Sequence, residues 1–381
     1  MKIFYWSPFL SNIATINAVI KSVQSIIKYN KSKIYEPYVI DSLGEWTKFD
    51  TNFENIKIIK LYEKNIYKLL PKGGYVKSRL SQISIFFLCF FKLKKLILKE
   101  KPTYLIAHLL VSLPMLLFNI FNFDTKLIIR ISGTPKLNFV RKYFWKLLSK
   151  KIYKVTCPTI SSYNKLVEFN IFDKEKLEIL YDPILSIKEI NKKKYEPIEK
   201  KFEDYNFILG IGRLTRQKNF ELLIKAFNEI QKKKSDLKLI ILGEGEQRNK
   251  LQNIVKKLNL TEKVFLPGFK KNVYNYIFKS NCFVSSSLYE DPGFVLLEAG
   301  FLNKIVLASD SKTGPSEIIN ESKRGFLYKN KNYHDLANTF LEYSNSNYIQ
   351  YYSKILSLKH YTKNFTLFNH YKQLTSILTK N

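Results

Sequence analysis

The chain contains few of the residues that build disulfide frameworks and metal sites. Its 381 residues include three cysteines and four histidines, and neither set shows the short spacings of metal ligands. The cysteines, Cys89, Cys157 and Cys282, are far apart in the sequence, which indicates free thiols in a reducing compartment. No Asp-x-Asp triplet occurs, so a common acidic site for a metal–diphosphate complex is missing. We therefore expect no disulfide, no metal and no other cofactor.

Long apolar runs are also missing. The apolar stretch at 83–91 is shorter than the roughly 20 residues that a helix needs to span a bilayer. No signal peptide precedes residues 2–6, whose pattern predicts a first β-strand. The sequence shows no internal repeat at a fixed period. We expect a cytoplasmic protein that is not inserted into a membrane.

Acidic residues are scarce relative to basic ones. The sequence has 63 Lys and Arg against 32 Asp and Glu, which gives a formal net charge of +31. Codon bias in an AT-rich genome explains part of this excess, but two segments, 61–101 and 126–154, combine basic residues with aromatic ones. Each segment alone is typical of a core helix with solvated lysines. Together they favour contact with an anionic membrane surface. No helix-turn-helix, zinc finger or aromatic RNA-binding motif is recognisable, so we expect no specific nucleic-acid partner.

Apolar strand patterns alternate with helix patterns along the chain, which predicts two doubly wound α/β domains. In the first half we predict strands at 2–6, 36–40, 56–60, 103–107, 126–131, 152–156 and 177–180, and helices at 13–29, 78–99, 111–121, 138–150 and 160–168. In the second half we predict strands at 206–211, 238–242, 263–266, 282–286, 304–308 and 325–328, with helices between them. The predicted organisation is a first Rossmann-like domain at 1–190, a charged linker at 191–204, a second Rossmann-like domain at 205–360 and a terminal helix at 361–381.

Two glutamates eight positions apart, Glu290 and Glu298, mark the most informative segment. Glu290 follows an apolar strand, Pro292 and Gly293 break the chain, and a helix is predicted from Phe294. A helix start has unpaired N–H groups and a partial positive charge, which favour a phosphate. Carboxylates beside it can accept hydrogen bonds from sugar hydroxyls. The alternative interpretation is an acidic first turn on an ordinary helix.

A second segment places two cations at the end of a strand. Arg213 and Lys218 flank the turn between the strand at 206–211 and the next helix. Ligands of open α/β sheets bind at this end of the strands, and both cations suit phosphate oxygens. The turn lacks the Gly-Lys-Ser/Thr of a Walker A loop and the third glycine of a dinucleotide fingerprint. Because cations at a helix start are unfavourable without an anion, we expect an anionic ligand.

Six motifs follow one another in a characteristic order. They are Gly212-Arg213-Leu214 with Gln217-Lys218-Asn219, Leu242-Gly243-Glu244-Gly245, Leu266-Pro267-Gly268-Phe269, the pair Glu290 and Glu298, Gly314-Pro315-Ser316-Glu317-Ile318-Ile319, and Gly325-Phe326-Leu327. With these motifs the sequence resembles the retaining, nucleotide-sugar-dependent glycosyltransferases of family four, the group 1 transferases of the GT-B fold. The resemblance is strongest over residues 205–330 and holds only in outline before them.

The resemblance implies a fold, a mechanism and residue roles. GT-B enzymes have two doubly wound Rossmann-like domains that face a central cleft, and a C-terminal helix that crosses back to the first domain. Arg213 and Lys218 would contact the donor diphosphate. Glu290 would contact the transferred sugar or its leaving phosphate, and Glu298 would hold the ribose. Further donor contacts would come from Gly212, Gly243, Gly293, Phe294 and Val295. Transfer would retain the anomeric configuration, with the leaving diphosphate taking the acceptor's proton and no enzymic nucleophile.

The N-terminal half departs from the family pattern. The loop after the first strand has no glycine, and Ser11 and Asn12 are its polar candidates for contact with a phosphate or sugar. Ser132 stands where many relatives have a histidine. His108 ends a different strand, a position where histidine is more often structural, and we do not assign it as a catalytic base. With Arg130, these residues are predicted to lie on the acceptor side.

The predicted function is transfer of a sugar from a nucleotide-diphosphate sugar to a polyprenyl-diphosphate-linked acceptor at the inner face of the plasma membrane. The product would be a surface polysaccharide such as O-antigen, lipopolysaccharide or capsule. Two alternatives remain open from the sequence. One is a GT-B enzyme that is not a transferase, such as a sugar-nucleotide epimerase, and the other is a basic nucleic-acid-binding protein.

Overall fold

The computed structural model describes residues 1–10, 14–47, 55–71, 75–133, 135, 137–290, 292–311 and 313–380. The strands are β1 Lys2–Trp6, β2 Glu36–Asp41, β3 Lys57–Lys60, β4 Tyr104–Ala107, β5 Lys126–Arg130, β6 Ile152–Cys157, β7 Leu177–Ile179, β8 Phe207–Ile211, β9 Lys238–Leu242, β10 Val264–Gly268, β11 Cys282–Ser285, β12 Ile305–Ser309 and β13 Phe326–Tyr328. The α-helices are α1 Ala14–Tyr29, α2 Tyr75–Glu100, α3 Ser112–Ile120, α4 Phe139–Leu148, α5 Ile160–Phe169, α6 Ile187–Lys193, α7 Phe220–Gln231, α8 Arg248–Lys257, α9 Tyr274–Lys279, α10 Phe294–Phe301, α11 Gly314–Ile319, α12 Tyr333–Asn345, α13 Tyr348–Thr362 and α14 Leu367–Thr379. None of the helices in these ranges is long and apolar enough to cross a membrane.

The chain folds into two compact units, each built on one parallel sheet. The first unit comprises Met1–Ile184 and Leu367–Asn381, and its seven strands lie in the order β3-β2-β1-β4-β5-β6-β7. The second unit comprises Leu185–Thr366, and its six strands lie in the order β10-β9-β8-β11-β12-β13. Both sheets are Rossmann-like, because the strand order reverses once in each, between β1 and β4 and between β8 and β11.

The strands are almost uniformly apolar because helices cover both faces of each sheet. All five residues of β12 are buried, and β8 and β9 each have four buried residues. The parallel register aligns the carboxyl ends of neighbouring strands, with Trp6 opposite Ala107 in the first unit and Ile211 opposite Leu242 in the second. The loops that leave these ends therefore meet at the sheet edge where α/β proteins bind ligands.

The predicted order of strands and helices is confirmed, with shifts of a few residues at the ends. The helix predicted at 78–99 runs over Tyr75–Glu100, and the strand predicted at 263–266 is Val264–Gly268. The structure places the segment 191–204, predicted as a linker, inside the second unit, where it includes the end of α6 and a short 3₁₀ turn.

The terminal helix α14 belongs to the first unit, as the resemblance implies for a helix that crosses back. It packs on the apolar face of α1, and Leu374, Ile377 and Leu378 join the core around β1. The hydroxyl of Tyr104 donates to the carbonyl of Leu378 at 2.6 Å. The last helix of the chain is therefore part of the core of the domain that begins with residue 1.

Two carboxyl groups are buried at the carboxyl end of β2. Glu45 accepts hydrogen bonds from the backbone N–H groups of Ser42 and Leu43 and from the Ser42 hydroxyl, at 2.7–3.1 Å. Asp41 Oδ1 accepts a hydrogen bond of 2.8 Å from the N–H of Gly44 in the same turn. Burial, together with the charge of Asp41, raises the pKa of Glu45 to about 8.

We expect this carboxyl group to make the stability of the protein fall as pH rises from about 5 to 8. The folded state retains a proton on Glu45 that the unfolded chain loses near pH 4.5, so ionisation destabilises the fold. In Glu45→Gln this contribution should vanish, and wild type should lose on the order of 2–4 kcal/mol relative to the variant over that range. Denaturant unfolding at several pH values measures the difference. The exposed control Glu63→Gln should follow wild type. Parallel pH curves for wild type and Glu45→Gln would contradict the prediction.

Candidate functional site

The first loop of the candidate site, residues 212–219, joins β8 to α7. It is held against the loop after β9 by very close backbone contact. The N–H of Gly212 donates to the carbonyl of Leu242 at 3.0 Å. A Cβ atom on Gly243, which has a φ of +141°, would lie 1.9 Å from the carbonyl oxygen of Gly212. Only glycine fits at position 243. The close contact between the backbones of the two loops therefore explains why both motifs contain a glycine at this point.

An ion pair joins this loop to the loop after β11. Nζ of Lys218 lies 2.7 and 2.8 Å from the two carboxylate oxygens of Glu290. The two side chains are only 17% and 16% exposed. The aliphatic part of Lys218 crosses the face of Gly212, where a Cβ would meet Cε at 2.9 Å. The two residues predicted to act on the donor diphosphate and sugar are thus in direct contact.

Hydrogen bonds to backbone carbonyl groups also join the same two loops. The N–H of Leu288 donates to the carbonyl of Gln217 at 2.8 Å, and the side-chain amide of Gln217 donates to the carbonyl of Tyr289 at 3.0 Å. The carbonyl of Glu290 accepts a hydrogen bond of 3.1 Å from the N–H of Gly314, at the start of α11. Three loops at the carboxyl edge of one sheet therefore position Glu290 from both sides.

Glu298 lies one turn inside α10 and has a partner that the sequence did not suggest. Gly293, with a φ of +91°, turns the chain into the helix, so Phe294 and Val295 form its first turn. The hydroxyl of Tyr274 on α9 lies 3.4 Å from Glu298 Oε1. Burial, with the nearby charge of Glu298, raises the pKa of Tyr274, so its hydroxyl stays protonated and can donate. Asp291, between the two glutamates, lies outside the described residues.

Arg213 lies two residues after the end of β8 and is exposed to solvent. Within the described ranges, it takes part in none of the ion pairs of the second unit, whereas Lys218 is paired with Glu290. The second unit thus combines one guanidinium that no described carboxylate neutralises, one lysine oriented by a glutamate, and the start of α10. This combination suits an anion bonded to a hydroxyl-rich group.

The predicted acceptor-side residues of the first unit lie at the carboxyl ends of β4 and β5. The backbone N–H of His108 donates to the carbonyl of Trp6 at 2.9 Å. Arg130 is 2% exposed, and its guanidinium donates to the carbonyl of Leu180 and to Asp182, both at 2.5 Å. Burial, together with the charge of Arg130, lowers the pKa of His108 well below its usual range, so the imidazole is neutral.

Three of these predicted residues border one groove. His108, Arg130 and Ser132 line an open groove of about 1330 Å³ in the first unit. Ser132 is exposed at its edge. Ser11 and Asn12, the other two predictions for this side, lie outside the described residues. The described residues hold no group of three or more His, Cys, Asp or Glu side chains that could bind a metal ion.

Comparison with known proteins identifies a family for this chain and solved structures with the same fold. Residues 191–357 match the family described as glycosyl transferases group 1. An uncharacterized glycosyltransferase of Methanocaldococcus jannaschii is 32% identical over 318 residues, which cover 75% of this chain and 72% of that protein. Among solved structures, a glycosyltransferase from Rickettsia africae superposes with a TM-score of 0.75 at 18% identity, covering 99% of this chain and 97% of the other.

A characterised relative is similar over a shorter region. It is the N-acetylgalactosamine-N,N'-diacetylbacillosaminyl-diphospho-undecaprenol 4-alpha-N-acetylgalactosaminyltransferase of Campylobacter jejuni. Identity is 34% over 220 residues, which cover 56% of this chain and 58% of the relative.

The buried pair of Arg130 and Asp182 should be a major contributor to the stability of the first unit. We expect Asp182→Ala to reduce the free energy of unfolding by about 3–5 kcal/mol, because it leaves the Arg130 charge buried without its carboxylate. Denaturant unfolding followed by circular dichroism measures the loss. Asp173→Ala is the control, because Asp173 is 75% exposed in its pair with Lys176 and should lose at most about 1 kcal/mol. Equal losses for the two variants would contradict the prediction.

Proposed function

Since the chain belongs to the group 1 glycosyltransferases and has their GT-B fold, we propose that it transfers a sugar from a nucleotide-diphosphate sugar to a lipid-linked acceptor, with retention of anomeric configuration. The observation that carries the donor half of this proposal is the pair of Lys218 with Glu290 beside Arg213. In a nucleotide sugar, the hydroxyls of the sugar lie next to the phosphate oxygens of the diphosphate. A carboxylate in contact with a cation suits this part of the donor, because the carboxylate can bind the hydroxyls and the cation the phosphate oxygens.

Each donor-side residue then has a distinct task. Lys218 and Arg213 stabilise the negative charge that grows on the diphosphate as the bond to the sugar breaks. Glu290 accepts hydrogen bonds from the transferred sugar and holds Lys218 in place. Glu298, supported by the Tyr274 hydroxyl, accepts hydrogen bonds from the ribose. The first turn of α10, with Phe294 and Val295, presents backbone N–H groups to the donor.

The proposed reaction needs no nucleophile from the protein. The bond between the anomeric carbon and the diphosphate oxygen breaks, and the acceptor hydroxyl forms its bond to the same face of that carbon. The acceptor's proton passes to the departing diphosphate. The protein contributes orientation of both substrates and charge stabilisation. Conversion of the donor in the absence of any acceptor would instead indicate an epimerase.

The acceptor half of the proposal rests on exposed apolar faces of the first unit. Along α2, apolar side chains recur every three or four residues on a solvent-exposed face: Val76, Leu80, Ile83, Phe87 and Phe91. Phe87 and Phe91 are 71% and 72% exposed, whereas an ordinary surface helix buries its apolar stripe.

The short helix α4 repeats this arrangement with more positive charge. Phe139 and Tyr143 are 83% and 65% exposed, and Lys142 and Lys146 of α4, with Lys150 in the turn that follows, lie between apolar residues in the sequence. Apolar side chains mixed with lysines suit an anionic lipid interface. We therefore propose that the first unit lies on the inner face of the plasma membrane. Its acceptor would be a sugar on a polyprenyl diphosphate, which the diphospho-undecaprenol in the name of the Campylobacter relative supports. The product would be a surface polysaccharide such as O-antigen, lipopolysaccharide or capsule.

Loss of either cation of the donor site should slow the reaction. We expect Arg213→Ala and Lys218→Ala each to lower turnover by about 10²–10³, because each removes a charge aimed at the leaving diphosphate. Thermal-shift binding to a panel of nucleotide sugars identifies the donor, and initial rates of transfer then measure the effect. Arg216→Ala, an exposed arginine of the same loop, is the matched control and should retain activity. Near-wild-type turnover and donor affinity in either test variant would remove that residue from the site.

Membrane contact should depend on the charge of α4 and of the turn that follows it. We expect flotation with liposomes to increase with the fraction of anionic lipid and to fall at least several-fold when Lys142, Lys146 and Lys150 are changed to glutamate. The control carries three equal charge reversals in the second unit: Lys233, Lys234 and Lys256. It should float like wild type. Equal recovery with neutral and anionic vesicles, or equal loss in both variants, would show that the net charge has no specific role at the membrane.

A further inference from the structure

The open groove in the first unit is lined by both arginine and apolar side chains. Its walls come from α2 and α4, and its floor from the loops after β4 and β5. Three arginines line it, Arg79 on α2, Arg141 on α4 and Arg130 at the floor, and none of its described lining residues is acidic. Val140 and Phe144, which are exposed, form part of one wall. The groove is therefore both cationic and apolar.

The two wall arginines come from different helices, and both line the same groove. Burial, together with the positive charge of Arg79, lowers the pKa of Arg141. The Arg141 guanidinium stacks over the ring of Trp145, 4.8 Å from its centroid, and Arg79 donates to the side chain of Gln82 at 3.1 Å. These contacts hold the guanidinium groups of Arg79 and Arg141 at the same groove, although their like charges repel each other. An anion between them would remove that cost.

Two residues at the floor of the groove have buried nitrogens without a described hydrogen-bond partner. His108 Nδ1 and Arg130 Nε are buried and have no hydrogen-bond partner among the described residues. Both residues are more than nine-tenths buried and line the groove. Buried nitrogens are seldom left unpaired, so a ligand or a water is expected to satisfy them. The neutral imidazole of His108 suits a hydroxyl group better than an anion.

We propose that this groove binds the phosphate groups of a prenyl-linked sugar, with Arg79 and Arg141 on the phosphate oxygens and the floor facing the sugar. The inference rests on the proposed function and names the acceptor subsite within it. The guanidinium groups supply charge-assisted, paired hydrogen bonds to phosphate. Val140 and Phe144 lead from the arginines to the exposed apolar side of α4, which is the path a prenyl chain needs.

Binding of short probes to the intact protein tests the proposal. The probes are geranyl diphosphate, inorganic pyrophosphate and geraniol, titrated by calorimetry. We expect geranyl diphosphate to bind most tightly, and Arg79→Gln and Arg141→Gln each to weaken it about 10-fold or more, as loss of a charged hydrogen bond predicts. Lys77→Gln and Lys95→Gln each remove an exposed charge from α2 outside the groove and should change affinity less than twofold. Arg141→Lys should recover part of the loss.

Several results would overturn the proposal. One is unchanged affinity in both arginine variants, and another is an equal loss in the lysine controls. Pyrophosphate that binds as tightly as geranyl diphosphate would show a site for free phosphate and not for a lipid. Nucleotide-sugar binding by thermal shift, measured on the same proteins, separates this proposal from the proposed function. If wild type binds no nucleotide sugar the proposed function fails, whereas normal nucleotide-sugar binding with unaltered probe binding removes only the groove.

Discussion

The donor-side architecture depends on one partly buried ion pair, between Lys218 and Glu290. Taking two charges partly out of water is favourable only when their geometry is fixed, and the surrounding backbone fixes it. Lys218 reaches Glu290 by lying over Gly212, whose lack of a side chain leaves room for it. Gly212 is held in turn by contact with Gly243, where any Cβ would collide. Two glycines and an ion pair thus form one continuous set of constraints across three loops.

The groove of the first unit differs from the donor-side loops in its charge and in its apolar surface. Its groove has no acidic lining residue among those described, and its one histidine is neutral because burial opposes protonation. The Arg130 charge is paired with the carboxylate of Asp182, and both side chains are buried. The helices that form the walls leave apolar side chains in solvent. Under the two proposals above, the second unit recognises a compact, highly charged molecule and the first unit an amphipathic one.

The sequence predicted the order of elements and the donor-side motifs, because both depend on local patterns. Apolar strands followed by amphipathic helices have a signature in consecutive residues, and Gly212, Lys218 and Glu290 each lie in a loop between a strand and the next helix. Contacts between distant segments were not predictable. Tyr274 supports Glu298 from a helix 24 residues earlier in the chain, and no spacing rule indicates it. Arg79 and Arg141 line one groove only because the fold places α2 and α4 on its two sides.

The position of α14 has a consequence for how the protein is made. The chain leaves the first unit at Ile184 and returns to it at Leu367, so that unit is interrupted by the entire second unit. On the ribosome, the second unit can complete its core while the apolar face of α1 still lacks the helix that covers it. At 5–20 residues per second, the wait lasts roughly 10–40 s. During that interval the incomplete first unit exposes an apolar surface that is a natural target for chaperones, and a chain truncated before Leu367 would never leave that state.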